Sequence, residues 1–298
     1  MNPITDFLTE NDIRYNENEP MKLHTSFRIG GEAKVFVFAK TENELQATVT
    51  FCYKNNIAYY IVGNGSNLLV SDNGIDAVVI KLCGEFEEIR QLDDTTIEAG
   101  AGANLSAVCK FALANGLSGL EFAYGIPGSV GGAAYMNAGA YGGEMKDVAT
   151  TCHHLTRDGK TGELSEQELC FGYRKSAYTT NGCIITRVLF RLTKGNKDEI
   201  KEKMDDLLNR RVTKQPLEYP SAGSVFRRPE GYFAGALIEQ SGLKGRTVGG
   251  AQVSEKHAGF IINIGDATCE DVKKLIGICQ QTVKDKFNVQ LETEIKTI

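Results

Sequence analysis

Residues 125–144 read GIPGSVGGAAYMNAGAYGGE and hold seven of the chain's 32 glycines, with Glu144 as the one ionised side chain. Flexible linkers are rich in Gly, Ser and Pro and poor in apolar residues. Here Ile126, Val130, Tyr135, Met136 and Tyr141 are interleaved with the glycines, so the stretch reads as folded backbone. Glycine lets N–H groups approach a ligand closely, and successive inward N–H groups form an anion-binding nest. A second polar glycine turn, GNGSN at 63–67, lies about 60 residues upstream, after the strand-like IAYYIV at 57–62. It is no Rossmann opening, because Leu68 stands where the third glycine belongs and LLVSDNG starts no helix. No G-x-x-x-x-G-K-[ST] occurs, which excludes a P-loop. Alone, 63–67 reads as an ordinary tight turn. Paired with 125–144, it suits a pyrophosphate held by backbone, and the small and apolar residues suit a flat aromatic ring. A dinucleotide such as FAD has both parts.

The whole chain narrows the classes further. Its 298 residues suit about two domains. With 42% hydrophobic and 24% charged residues, it has the composition of a soluble globular protein. A net charge of -5 argues against general affinity for nucleic acid. No run of apolar residues is long enough to span a membrane, and the polar, acidic N-terminus lacks a secretory h-region. Eight cysteines without a C-x-x-C pair read as reduced, mostly buried thiols in a cytosolic protein. Among four histidines only His153 and His154 are adjacent, facing opposite ways if they lie in a strand. No metal site is expected.

The order of elements is mixed. KVFVFA (34–39) reads as a strand, followed by a helix from Thr41 in which Thr41 and Glu44 form a capping box. The strand 57–62, LLV, DAVVIKL, FEEIRQL and TTIEAG follow as short strands. Residues 105–115 read as a helix with Leu105, Val108, Cys109, Ala112 and Leu113 on one face, capped by Asn104 and ended by Gly116. VATTCHHLT and 183–193 are strands. A helix over 198–213 carries Ile200, Met204, Leu207, Leu208 and Val212 as its stripe. Beyond it come a short helix at 233–242, a buried strand at 259–264, and a helix with Val272, Leu275, Ile276, Cys279 and Val283 on one face. The chain closes on VQLETEIKTI, whose alternation puts Glu292, Glu294 and Lys296 together on one face, normally a solvent face. The texture changes near 194–196. The expected organisation is an N-terminal helix or extension (1–20), a domain of two lobes split near 80 (21–194), and a second domain (195–298).

HTSFRIGG (24–31), GNGSNLLV (63–70), the stretch 125–144, FGYRKSAY (171–178), QPLEYPSAGSVFRRP (215–229) and LETEI (291–295) occur in this order. Together they resemble the UDP-N-acetylenolpyruvoylglucosamine reductases of peptidoglycan synthesis, over about residue 20 to the C-terminus. The resemblance implies an α+β fold: a two-lobed FAD-binding domain of the vanillyl-alcohol-oxidase type plus a C-terminal α+β substrate domain. It implies noncovalent FAD, NADPH as co-substrate and UDP-N-acetylglucosamine enolpyruvate as substrate; a cytoplasmic monomer that touches neither nucleic acid nor membrane is the expectation for the chain as a whole. One strand and one helix between Arg174 and Ser224 resemble the shorter subtype, without the loop bearing a substrate-covering tyrosine. The implied flavin contacts are Arg28; Gly63, Asn64, Gly65, Ser66, Asn67 and Leu68; Gly125, Ile126, Pro127, Gly128, Ser129, Gly131 and Gly132; and Asn137, Gly139 and Ala140. Tyr141, Lys214, Arg228 and His257 are the implied substrate contacts, and Arg174, Ser224 and Glu294 the implied catalytic set. Another FAD-dependent oxidase of the same fold is the alternative, and a noncatalytic nucleotide-sugar module a third class.

The residues themselves say less. Between 210 and 257 eight Lys/Arg stand against four Glu, a local excess that suits a phosphate-bearing substrate or a solvated basic face. Arg174 follows an aromatic pair, and its planar fork suits a carboxylate. A surface arginine stacked on Tyr173, a plain strand serine at 224 and a solvent-facing Glu294 are the commoner outcomes for these three types.

Overall fold

The computed structural model describes residues 3–298; the first two residues of the expected 1–20 extension lie outside the described residues. The chain divides into two compact units. One comprises the residues up to Glu17, Val35–Asn64 and Ala77–Arg210; the other comprises Asn18–Lys34, Gly65–Asp76 and Arg211–Ile298.

In the larger unit two sheets carry the core. The N-terminal sheet has the order Tyr15–Pro20, Glu32–Ala39, Ile75–Leu82, Tyr59–Val62. Tyr59–Val62 runs parallel to Ile75–Leu82, and the chain reaches it from Glu32–Ala39 through a helix. That helix is Glu42–Lys54, with Leu45, Thr48, Val49 and Cys52 buried. Thr41 Oγ1 accepts the Glu44 N–H at 3.1 Å. The return arm differs from a capping box: the Glu44 carboxylate takes the N–H of Lys40 at 2.7 Å.

The second sheet is antiparallel throughout, with the order Thr161–Ser165, Ala149–Leu155, Ile184–Arg191, Thr96–Gly100, Ile89–Gln91. A register shift falls between His153 and His154. His154 is buried and its Nδ1 lies 3.0 Å from the Tyr178 hydroxyl. FEEIRQL is a strand only over Ile89–Gln91, since Gly84–Glu87 winds into a 3-10 turn. Helix Leu105–Ala114 ends where Gly116 takes φ +65. Asn104 occupies its N-cap but makes no side-chain cap bond; its Oδ1 accepts instead from Asn64 Nδ2 at 2.7 Å. Burial pushes the Cys109, Cys152 and Cys279 thiols up to about 12, so they stay protonated.

The smaller unit has an antiparallel sheet ordered Ser221–Ser224, Phe260–Asn263, Ala251–Val253, Thr247–Val248. Helices Ala234–Gln240 and Cys269–Phe287 complete its core, and all five expected stripe residues of the long helix are buried. The first turn of that helix leaves backbone donors without helical partners. Thr268 Oγ1 takes the N–H of Asp271 at 3.0 Å. Asp72 takes those of Cys269 and Glu270 at 2.7 and 3.1 Å.

Two expectations need correction. Helix Lys197–Lys214 buries only Ile200 and Met204, and Val212 is 49% exposed; a helix this charged has a narrow inner face. The closing strand shrinks to Lys296–Thr297, parallel to Leu68–Leu69. Leu291 and Ile295 are the buried pair, four positions apart, with Thr293 exposed between them. Glu294 is therefore half-buried rather than on a solvent face with Glu292 and Lys296. The α+β class is as expected.

Candidate functional site

The two glycine turns meet. A Cβ built on Gly63 would stand 2.2 Å from Ser129 Oγ, so only bare backbone fits there. Asn64 Nδ2, bonded to Asn104, also lies 3.4 Å from the Pro127 carbonyl. Ser129 is buried at the N-cap of the short helix Val130–Tyr135 and accepts the Gly132 N–H at 3.4 Å. Gly125, Ile126 and Gly128 are half-buried around the exposed Pro127. Gly131 answers to packing, since its Cβ would stand 2.8 Å from that of Ala101. Gly132 is open to solvent. Further along the first turn, Gly65 (φ +61) passes so close to the His24 carbonyl that a Cβ would lie 2.0 Å from it. Ser66, Asn67 and Leu68 follow, half-buried.

After Asn137 the stretch forms a hairpin, Gly139–Ala140 paired with Gly143–Glu144. Its central residues Tyr141 (φ 52) and Gly142 (φ +88) are both left-handed, as a type I′ turn demands. Tyr141 stands at the tip, 43% exposed.

Arg174 lies in another tight turn, closed by reciprocal backbone bonds between Gly172 and Lys175 at 3.0 and 3.2 Å. Its φ of 54 is a conformation that costs a non-glycine residue about 1–3 kcal/mol. The guanidinium carbon lies 5.2 Å from the centre of the Tyr173 ring. Burial would raise the nearby Glu144 carboxyl, but hydrogen bonds from Lys146 and Asn137 and the charges of Lys146 and Arg174 outweigh it and hold it low.

In the smaller unit Ser224 ends its strand with an exposed side chain, opposite Phe260. The next residue, Val225, accepts the Glu294 N–H at 2.7 Å through its carbonyl. Asn67 Nδ2 donates to the Glu294 carbonyl at 3.3 Å. One backbone bond and the Asn67 carboxamide thus link the strand of Ser224, Glu294 and the end of the first glycine turn. Arg28 is exposed at φ 55, its N–H bonded to the Thr25 carbonyl at 3.1 Å. Lys214 is exposed at the end of its helix. Arg228 lies 4.0 Å over the Phe233 ring. The His257 ring is packed against Gly235 and Gly259 backbone and accepts the Gly259 N–H at Nδ1, 3.1 Å. Burial pushes its pKa down, so the ring is neutral at pH 7 with its proton on Nε2. No group of His, Cys, Asp or Glu among the described residues is arranged to hold a metal ion.

Comparison with known proteins decides the family. A model described as FAD binding domain matches residues 33–165. The model of the UDP-N-acetylenolpyruvoylglucosamine reductase C-terminal domain matches residues 215–298. The UDP-N-acetylenolpyruvoylglucosamine reductase of Clostridioides difficile (strain 630) is 48% identical over 99% of this chain and 96% of its own. That of Alkaliphilus oremlandii is 50% identical over 94% and 92%. The chain belongs to the UDP-N-acetylenolpyruvoylglucosamine reductase family. The crystal structure of the Thermus caldophilus reductase matches with a TM-score of 0.81 at 37% identity, over 96% of this chain and 98% of that one. As a member of this reductase family, the protein is an oxidoreductase with the two-lobed FAD-binding architecture and the C-terminal α+β domain that the sequence implies.

Two contacts within the reductase's larger unit carry no signature in sequence: the Asn64–Asn104 bond, and the buried carboxamide of Asn137, which joins Glu144 and the Gly172 carbonyl at 2.8 and 3.0 Å. The Asn64–Asn104 and Asn137–Gly172 bonds join common residues 40 and 35 positions apart.

Proposed function

We propose that the chain reduces UDP-N-acetylglucosamine enolpyruvate to UDP-N-acetylmuramate for peptidoglycan synthesis, with noncovalent FAD and with NADPH as hydride source. The observation that carries this is the meeting of the two glycine turns at Gly63 and Ser129, where a single Cβ would fill the space. Residues 63–67 and 125–143 hold no ionised side chain, so the donors there are backbone N–H groups and small polar side chains. Such a set fits a pyrophosphate beside a flat ring. Arg28, Ser66, Leu68, Gly132 and Ala140 complete the proposed flavin contacts. FAD held there would supply the hydride transfer between NADPH and C3 of the enolpyruvyl ether.

The chain's own residues do the rest. The Arg174 fork grips the substrate carboxylate at two points and stabilises the negative charge that develops at C2 and the carboxylate. The Ser224 hydroxyl donates a proton to C2, and the surrounding basic excess stabilises the alkoxide left behind. Glu294, sharing a proton with the carboxylate, polarises it. Lys214, Arg228, His257 and Tyr141 bind the nucleotide sugar. The two family matches support assigning FAD to residues 21–194 and the nucleotide sugar to 195–298. Because NADPH and nucleotide sugars are cytoplasmic metabolites, we place the reaction in the cytoplasm, carried out by a monomer that serves wall growth, cell shape and division.

The visible spectrum of purified protein tests this reading. A yellow protein that releases its flavin on heating or acidification is expected, bleached by NADPH and recoloured by the enolpyruvyl substrate. A colourless protein that cannot be reconstituted with FAD would remove it.

A further inference from the structure

We propose that Asn137 is a positioning residue whose buried carboxamide bolts the Arg174 turn to the glycine stretch and so sets where the guanidinium stands. The inference rests on the role given to Arg174 above. Asn137 is 1% exposed and left-handed at φ 45. Its Nδ2 carries two donor hydrogens, and two acceptors take them: the Gly172 carbonyl at 3.0 Å and the Glu144 carboxylate at 2.8 Å. Its Oδ1 accepts the Lys146 N–H at 2.9 Å. No amide hydrogen is left for a ligand, so the side chain works inside the protein, and a flavin contact at 137 falls to its backbone.

What it holds is the Arg174 turn. Gly172 opens that turn, and just beyond its close the buried Ser176 Oγ donates to the Tyr135 carbonyl at 2.6 Å. Both ends are therefore fixed to residues 135 and 137, two positions apart in the glycine stretch. A non-glycine residue persists in the left-handed region only where its surroundings over-determine it. Around Arg174 the Asn137 and Ser176 bonds supply that determination. Glu144 is the third member, anchored to Asn137 and lying 3.0 Å from Lys146 Nζ. The same hairpin segment that presents Tyr141 thus also fixes the arginine turn.

Asn137→Asp tests the clamp in the holoenzyme. It keeps the side chain's size and the acceptor facing Lys146, but sets a carboxylate against Glu144 and the Gly172 carbonyl. Because the substitution keeps the backbone at 137, to which the implied flavin contact falls, FAD content and the rate of flavin reduction by NADPH are expected at the wild-type level. Reoxidation by UDP-N-acetylglucosamine enolpyruvate is expected to slow by roughly 10- to 100-fold, the scale of a displaced catalytic group. In an Arg174→Ala background the same substitution is expected to add less than about twofold, because coupled residues are not additive. A full additive loss in that background, loss of FAD, or equal slowing of both half-reactions overturns the clamp. If Arg174→Ala alone leaves reoxidation intact, the role of Arg174 falls, and the inference with it. Should Asn137→Asp fail to fold, Ser176→Ala decides: selective slowing of reoxidation supports the clamp, and unchanged reoxidation overturns it.

Discussion

The turn that carries Arg174 and the strand end that carries Ser224 are built in opposite ways. Arg174 sits in a left-handed conformation, with reciprocal backbone bonds closing its turn and side chains fixing both ends. Ser224 ends a four-residue strand with its hydroxyl exposed, placed by the ladder opposite Phe260 and by the backbone bonds of Val225. The first is costly local geometry stabilised by its surroundings; the second is ordinary geometry left accessible. A group that must receive charge from a fixed direction gains from preorganisation. A hydroxyl that must only deliver a proton needs access and the right electrostatic setting.

The comparison breaks most visibly at Arg174→Gly. Reoxidation by substrate is expected to slow by about 10²- to 10³-fold, while thermal stability does not fall, because glycine adopts positive φ without strain. A clear drop in Tm would show that the turn is not under strain. Ser224→Ala comes next: reoxidation slows by about 10²-fold, while FAD content, Tm and reduction by NADPH stay as in the wild type. Equal slowing of both halves in stopped-flow absorbance would point to a disturbed flavin site, and normal reoxidation would pass the proton donor's role to Glu294. Lys214→Ala and Arg228→Ala extend the accessible side of the comparison. Each is expected to raise the substrate KM by about tenfold, the lower range for a charged hydrogen bond, with kcat and FAD content unchanged. Unchanged KM in both would return them to a solvated basic face.

The smallest effect belongs to the buried side. Burial and the neighbouring His153 lower the His154 pKa, against weaker raising pulls from the Cys152 backbone and from Glu163. The unfolded chain therefore binds a proton at a higher pH than the folded one, and stability is lost as pH falls from the ordinary histidine value of about 6.5 through the folded value. Urea unfolding of His154→Gln between pH 7 and pH 5 is expected to show a shallower acid decline than wild type. An identical slope would mean His154 takes no part in it.

Legibility in sequence followed the range of the interaction. The Thr41 cap and the five-residue stripe of Cys269–Phe287 depend on spacings of three and four, and both are found. The stripe over 198–213 fails because a helix with this many charged residues can satisfy its period without burying it. Two-residue alternation misplaced Glu294, since Leu291 and Ile295 set a period of four around an isolated bridge at Thr293. Glycines gave the place of the candidate site but not the reason for each: Gly131 serves packing, whereas Gly63 makes room beside Ser129. The Asn137 clamp spans 35 positions to Gly172, and nothing local marks an asparagine for such a task.

The first glycine turn is tied to the far end of the chain. Asn67 reaches Glu294, 227 positions later, Lys296–Thr297 pairs with Leu68–Leu69, and Leu69 belongs to the same core as Leu291 and Ile295. On the ribosome, the segment after Gly65 emerges long before the residues that cover it are translated. Contacts so distant in sequence form slowly, and apolar surface waiting for them is open to aggregation. A nascent chain of this enzyme therefore carries an unfinished half of the glycine turn until residues 291–297 have been made.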